Sequence, residues 1–177
     1  METNLDGVFT INLPTYEDNR GFFREVLKFS GINEQLGKSF IPKQINHARS
    51  VKNTLRGIHV APWNKIIYVT KGKVQVVLVD SRKDSKTLGK HQSFILGDDN
   101  RIAVFVPANF GNSYLVLSET ADYMYVTDEE WSPNKELNVF WNDKDLNINW
   151  QLNGQPFLSE RDSTAFSFSS LFPDFKK

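Results

Sequence analysis

His59 stands in the stretch LRGIHVAPWNK (residues 55–65), after an arginine and a glycine and ahead of a proline, a tryptophan and a lysine. Three roles are open to it: a packed structural imidazole, a metal ligand, or a proton carrier working near neutral pH. A histidine beside apolar strand residues serves more often as a satisfied structural group than as a functional one. The metal role is weak, because the chain holds only His47, His59 and His91 and no His-x-His pair, whereas a divalent ion asks for about three or four protein ligands. No metal is expected. The proton-carrier role gains from its surroundings in sequence: Arg56 and Lys65 beside it, Arg20 and Arg24 upstream, and the amides of Gln44 and Asn46. Gathered around one cavity, these groups could hold a diphosphate, which the planar guanidinium fits. Scattered, they would form ordinary surface ion pairs. Spacing alone does not decide between the two.

The totals limit the partners. Twenty-one basic and 21 acidic residues cancel, so there is no general pull toward nucleic acid or anionic lipid, and any anionic ligand must be met locally. The absence of cysteine removes disulfides, thiolate metal sites and cysteine nucleophiles, and fits a reducing compartment. The start, Met1-Glu2-Thr3-Asn4, lacks the basic and apolar regions of a secretory signal, and no apolar run reaches membrane-spanning length. A cytoplasmic protein is expected, and its length fits one domain, residues 1–177.

The elements that must position these residues are mostly strands. Apolar segments at Val8 to Leu13 and Gly21 to Leu27 flank PTYEDNRG, whose turn formers predict a hairpin. One early helix is predicted over Gly31 to Leu36, with Ser30 as N-cap and Gly37 as stop. KIIYVTKGKVQVVLVDSR carries β-branched runs on both sides of Lys71-Gly72-Lys73, and RIAVFVP, NSYLVLSE and ADYMYVTD follow at short, turn-punctuated intervals. Helical patterns do not alternate with these strands, so an all-β antiparallel jelly-roll barrel is expected rather than a parallel doubly wound sheet. The bulky aromatics, 14 of them phenylalanine, would mostly fill its interior. The tail, from WNDKDLNINW onward, is polar and turn-rich, and from about residue 163 STAFSFSSLFPDF reads as a short helix or an extended arm. Its Phe166, Phe168, Leu171 and Phe172 need cover, for which a second subunit is one source.

In order along the chain, DNRGFFRE, LRGIH, SKTLGK, VPANFGNSYLVLSETADYMYVTDEEWSP, WNDKDLNINW and LSERD resemble the dTDP-4-dehydrorhamnose 3,5-epimerases, from about Gly7 to Asp162. The resemblance implies a cupin-type jelly roll with short flanking helices, a homodimer, no cofactor and no metal, and a nucleotide-diphosphate sugar with a ketone at C4 as substrate. It makes His59 the base, Asp162 the carboxylate that holds the imidazole, Lys65 the cation facing the developing enolate oxygen, and Tyr125 the proton donor. Arg20, Glu25, Gln44, Asn46, Arg56, Glu136 and Arg161 match positions that contact nucleotide, diphosphate or sugar. Trp131 falls where an aromatic lies near the nucleobase, with plain core packing as the alternative.

Some positions depart from the family pattern. The link from His59 to Lys65 is short, VAPWN, which would reshape the nucleotide end or a lid. Where a second histidine is expected, NFGNSY supplies Asn112, an amide that can hydrogen-bond a sugar oxygen but does not titrate near neutral pH. Arg161 stands for a lysine. Relatives acting only at C3 or only at C5, or on GDP-linked heptoses, belong to the same superfamily, so the number of inverted centres and the nucleobase stay open. A jelly roll that binds a nucleotide sugar or glycan without turnover, and a ketone-moving isomerase, are the competing functions.

Overall fold

The computed structural model describes residues 3–175. Two five-stranded antiparallel sheets face each other, one in the order β1-β9-β6-β11-β4 and the other β12-β5-β10-β7-β8. The first is built from β1 (Phe9–Asn12), β4 (Gln44–Val51), β6 (Lys65–Lys71), β9 (Ile102–Val106) and β11 (Thr120–Thr127). The second holds β5 (Leu55–Val60), β7 (Lys73–Asp80), β8 (His91–Gly97), β10 (Phe110–Val116) and the short β12 (Leu137–Asn138). This is the expected cupin-type jelly roll. Among the described residues, no helix is long and apolar enough to cross a membrane.

Side chains alternate between the faces of a strand, and the alternation divides the core into three layers. Between the sheets lie Ile67, Val69, Val74, Val76, Leu78, Phe94, Val104, Tyr114 and Tyr123. The outer face of the first sheet, with Ile66, Tyr68, Phe105 and Val126, is covered by Leu13, Ile32 and Phe40. The outer face of the second, with Ile58, Val60, Val77 and Val79, is covered by Val139, Leu146, Phe168 and Phe172. Because both outer faces are covered, central strands such as β7 are buried along nearly their whole length and read as continuous apolar runs rather than as alternating ones.

Local details depart from the sequence reading. The hairpin exists, but its first strand is β2 (Thr15–Asp18), paired with β3 (Gly21–Arg24); Val8 to Leu13 instead supplies β1, which pairs with β9. Pro14 separates the two strands, lacking the N–H that a continuous ladder needs. Helix α1 runs Phe29–Leu36 with Lys28 at its N-cap and no side-chain cap, so Ser30 lies inside it. The stacking of Phe29 on Phe40, centroids 6.0 Å apart, draws the two extra residues onto the sheet. The stop at Gly37 is as expected, with φ +64°. In the tail, α2 (Glu160–Ser163) and α3 (Phe168–Leu171) form. Phe168 and Phe172 are covered by the chain's own second sheet, and only Phe166 of the arm's phenylalanines is left largely exposed. Asp143 fixes the arm, its Oδ2 accepting the Phe168 N–H at 2.8 Å.

Lys71-Gly72-Lys73 carries the chain from one sheet to the other. At this crossing two backbones touch: Gly72 O accepts from the Asp98 N–H at 2.9 Å, and Gly72 N–H donates to Asp98 Oδ2 at 2.9 Å. Gly97 has φ +137°, and a Cβ there would stand 1.9 Å from Gly72 O. Gly97→Ala is therefore expected to destabilise the fold by more than about 1 kcal/mol, read as a lower urea midpoint at unchanged slope. An unaltered midpoint would count against the close approach.

Candidate functional site

Toward one end of the space between the sheets, the inward residues turn from apolar to polar. On β4 the inward set is Gln44, Asn46, Ala48 and Ser50, while Ile45, His47, Arg49 and Val51 face out. On β11, Tyr123 and Tyr125 point in, and Tyr125 pairs in register with Asn46 on one side and Ile67 on the other. From the second sheet, β10 presents Asn112 opposite His59 and Tyr114 opposite Arg56 on β5, which puts each pair on a common face. His59 and Tyr125 thus belong to opposing sheets of one barrel.

The His59 Nε2–H donates to Asp162 Oδ1 at 2.7 Å. Burial would raise the pKa of Asp162, but the hydrogen bond and charge of His59, helped by the Ser159 side chain and the Gly57 N–H, reverse this and hold it below the usual carboxylate range. An ionised carboxylate only accepts, so Nε2 carries the hydrogen in this pair and Nδ1 is the ring nitrogen turned away from Asp162. Helix α2 delivers the carboxylate: the Ser159 Oγ caps it by accepting from the Asp162 N–H.

A second group centres on Glu136, whose side chain is almost wholly buried. Its Oε2 accepts from Arg161 Nη2 at 2.7 Å and from the Trp131 indole N–H at 3.2 Å, and its Oε1 lies 4.0 Å from Lys65 Nζ. Burial pushes Glu136 upward, yet the Arg161 hydrogen bond and the charges of His59 and Lys65 leave it below the usual range. Lys65 is 6% exposed; burial lowers its pKa to about 8, against the attraction of Glu136 and with the repulsion of Arg161. Tyr125 is pushed above the usual phenol range by burial and by the charge of Glu136, so its proton stays in place near neutral pH.

Several sequence-picked residues join these groups. Gln44 Nε2–H donates to Asn46 Oδ1 at 2.7 Å, and Gln44 Oε1 accepts the Trp131 N–H at 2.8 Å. Arg56 Nε–H donates to the Ser50 Oγ at 3.2 Å, which meets the Tyr114 hydroxyl at 3.3 Å. Arg161 also donates to Asn138 Oδ1. Trp131 is half exposed rather than a core residue. The short VAPWN link is a pinned turn: Asn64 bonds Asp128 through backbone and side chain and accepts the Ala108 N–H, while Trp63 is buried. It therefore holds Lys65 firmly at the start of β6.

Arg20 and Glu25 are not brought to this group within one chain. Arg20 sits on the β2-β3 hairpin, its side chain 86% exposed and paired with Asp18; Glu25 faces Lys28 at 3.3 Å. The hairpin contacts Arg101 at the start of β9, on the β1 side of its sheet, while the site borders β4 at the other edge. Sequence reasoning missed Ser50, Tyr114 and Tyr123. The inward alternation of β4, β10 and β11 could have found them. Among the described residues, no three of His, Cys, Asp and Glu gather as a metal-ligand set. A cavity of about 1000 Å³, lined by Val60, residues 81–87, Asn109 and Phe172, opens on the face of β5 turned away from His59 and is separate from this chemistry.

The family model for dTDP-4-dehydrorhamnose 3,5-epimerase matches residues 2–170. The dTDP-4-dehydrorhamnose 3,5-epimerase of Pseudomonas aeruginosa is 36% identical over 163 residues, 89% of this chain and 90% of that protein. The Legionella pneumophila 3,5-epimerase crystallised with dTDP-4-keto-L-rhamnose superposes with a TM-score of 0.92 at 32% identity, covering 100% of this chain and 98% of the other. A 3'-monoepimerase from Streptomyces bikiniensis in complex with dTDP-quinovose gives a TM-score of 0.90 at 27% identity, over 94% and 86% of the two chains.

The Lys65 amine is expected to titrate with a midpoint near pH 8, followed by the NMR signals of its ε-CH₂ group. Glu136→Gln removes a charge that favours the ammonium, so the midpoint should fall further; a rise would contradict the pairing.

Proposed function

This chain belongs to the dTDP-4-dehydrorhamnose 3,5-epimerase family and is an isomerase, and we propose that it epimerises a dTDP-linked 4-keto-6-deoxy sugar next to its ketone. The observation that carries this reading is the pair of opposing groups: a carboxylate-held imidazole on one sheet and a protonated phenol on the other. A ketone at C4 makes the C3 and C5 protons acidic. His59 Nδ1 takes one of them, and the C–H electrons move into the carbonyl to give an enolate. Asp162 neutralises the imidazolium that forms, as a carboxylate does in other histidine dyads. The Lys65 ammonium meets the enolate oxygen in a poorly solvated site, where a fixed cation lowers a barrier more than it would in water. Tyr125 then returns a proton to the opposite face of the carbon, which inverts it; the imidazolium releases its proton to solvent and the phenolate regains one, which resets both groups.

Arg56, Arg161, Gln44 and Asn46 are assigned to the diphosphate and sugar, and Trp131 to stacking on the base. The Asn46 amide nitrogen supports this, being a buried donor with no partner in the chain, and buried donors are rarely left unpaired.

In heavy water, the wild-type protein should exchange deuterium into C3, C5 or both of a dTDP-4-keto-6-deoxyhexose. His59→Asn should abolish exchange, with a loss of about 10²–10⁴-fold, while Tyr125→Phe should still exchange yet invert poorly. Binding without exchange would mark a non-turnover jelly roll, and exchange only with a GDP-linked 4-keto heptose would move the substrate assignment. If His59→Asn left the rate within about threefold, a change below roughly 0.7 kcal/mol, the base would be another group.

The protein acts as a homodimer in this reading. Tyr16, Phe22 and Phe23 on the hairpin, and Ile45 and Val51 on the outer face of edge strand β4, are exposed; two such apolar patches at opposite sides of one sheet, with an open strand edge, favour pairing of the hairpin of one copy with β4 of another. A second copy would also supply the Arg20 and Glu25 that the chain's own site lacks. Sedimentation equilibrium should give a dimer, with Phe23→Asp combined with Ile45→Asp giving monomers of low activity. A fully active wild-type monomer would end the proposal.

A further inference from the structure

Asn112 is 9% exposed, lies directly across from His59 on the neighbouring strand, and points to the same face. Its Oδ1 accepts from the Tyr123 hydroxyl at 3.2 Å, and its Nδ2 is buried with no hydrogen-bond partner. An amide can usually turn over and exchange its donor and acceptor ends. Here it is prevented from doing so. The phenol of Tyr123 is wholly buried, and Asn112 Oδ1 is the acceptor provided for its proton among the described residues. Flipping the amide would set the Nδ2 hydrogens against the hydroxyl and leave the phenol proton without an acceptor, a costly state in a buried network. The Tyr123 ring is itself fixed by stacking on Tyr114, centroids 4.1 Å apart and planes within 12°. Tyr114 is in turn tied through Ser50 to Arg56.

From this geometry we infer, on the basis of the epimerase reading above, that Tyr123 is a positioning residue for specificity: it holds Asn112 as a donor-only contact for an acceptor oxygen of the sugar, on the side from which His59 approaches. The oxygen would be a hydroxyl or carbonyl close to the carbon that His59 deprotonates, since directly opposed residues have side chains only about 5 Å apart at Cβ. A histidine here would change its donor pattern as it titrates; the amide does not. Burial also pushes the Tyr123 phenol well above its usual range, so the lock persists across the working pH range. The site consequently selects for an acceptor at this point of the sugar at every such pH.

A double-mutant cycle tests this, using kcat/KM for a dTDP-4-keto-6-deoxyhexose beside the Kd of dTDP alone, which lacks the sugar. Asn112→Leu should lower kcat/KM about tenfold or more and leave the Kd for dTDP within about twofold. Tyr123→Phe should cost about threefold or more in the wild-type background, yet less than about twofold once Asn112 is leucine. Equal penalties in the two backgrounds, or a parallel loss of dTDP affinity, would overturn the assignment by showing that Tyr123 only supports the barrel. If Tyr123→Phe fails to fold, Asn112→Leu carries the test: loss of sugar turnover with intact dTDP binding supports the donor, and unchanged turnover rejects it. Wild-type protein that neither binds dTDP nor exchanges sugar protons would remove the epimerase reading itself, an outcome distinct from these.

Discussion

The Lys65 ammonium lies 4.0 Å from a buried carboxylate, Glu136, and the polar half of the barrel is arranged around that pair. Burying an ion costs several kcal/mol, and attraction at this distance returns on the order of 4 kcal/mol at an effective dielectric near 20. The two are close in size, so the cation is held with little margin, which agrees with its pKa of about 8. Arg161 and the Trp131 indole complete the solvation of Glu136. The same carboxylate acts through its charge on His59 and Tyr125. One residue just ahead of β12 thus places its charge near His59, Tyr125 and Lys65 together.

Such a field is effective only where water is excluded, and the sandwich provides this by covering the outer faces of its central strands. The N-terminal segment and α1 seal one outer face and the C-terminal arm seals the other, leaving the inner space to be divided between an apolar half and a polar half. The arm has two tasks. Phe168 and Phe172 fill the outer layer, and the α2 turn just before them carries Asp162 to His59. Packing on one side of β5 therefore fixes the imidazole on the other side.

The strand content and the antiparallel barrel were legible because β-branched runs separated by turn residues report local backbone preference directly. The reactive types were legible too: His59, Lys65, Tyr125 and Asp162 lie in motifs that resemble the family's. The strand paired with Gly21–Arg24 was misjudged, since both Val8 to Leu13 and Thr15 to Asp18 offer apolar or β-forming residues and only the competition for β9 separates them. Helix α1 began earlier than its caps implied because an aromatic stack outweighed a local Ser N-cap.

By itself the sequence determined what groups are present and which way each strand residue must face: no thiol, few histidines, and an inward period of two that aligns Gln44, Asn46 and Ser50, or Tyr123 and Tyr125. Only the tertiary structure decided who meets whom. It joined His59 to Asp162, 103 positions away, and Glu136 to Lys65. It kept Arg20 and Glu25 away from the site, and turned Tyr123 from apparent core filler into the partner of Asn112. The physical reason is that hydrogen bonds and charges act over a few ångströms of space, and the distances that matter are set when two sheets close on each other, not by separation along the chain.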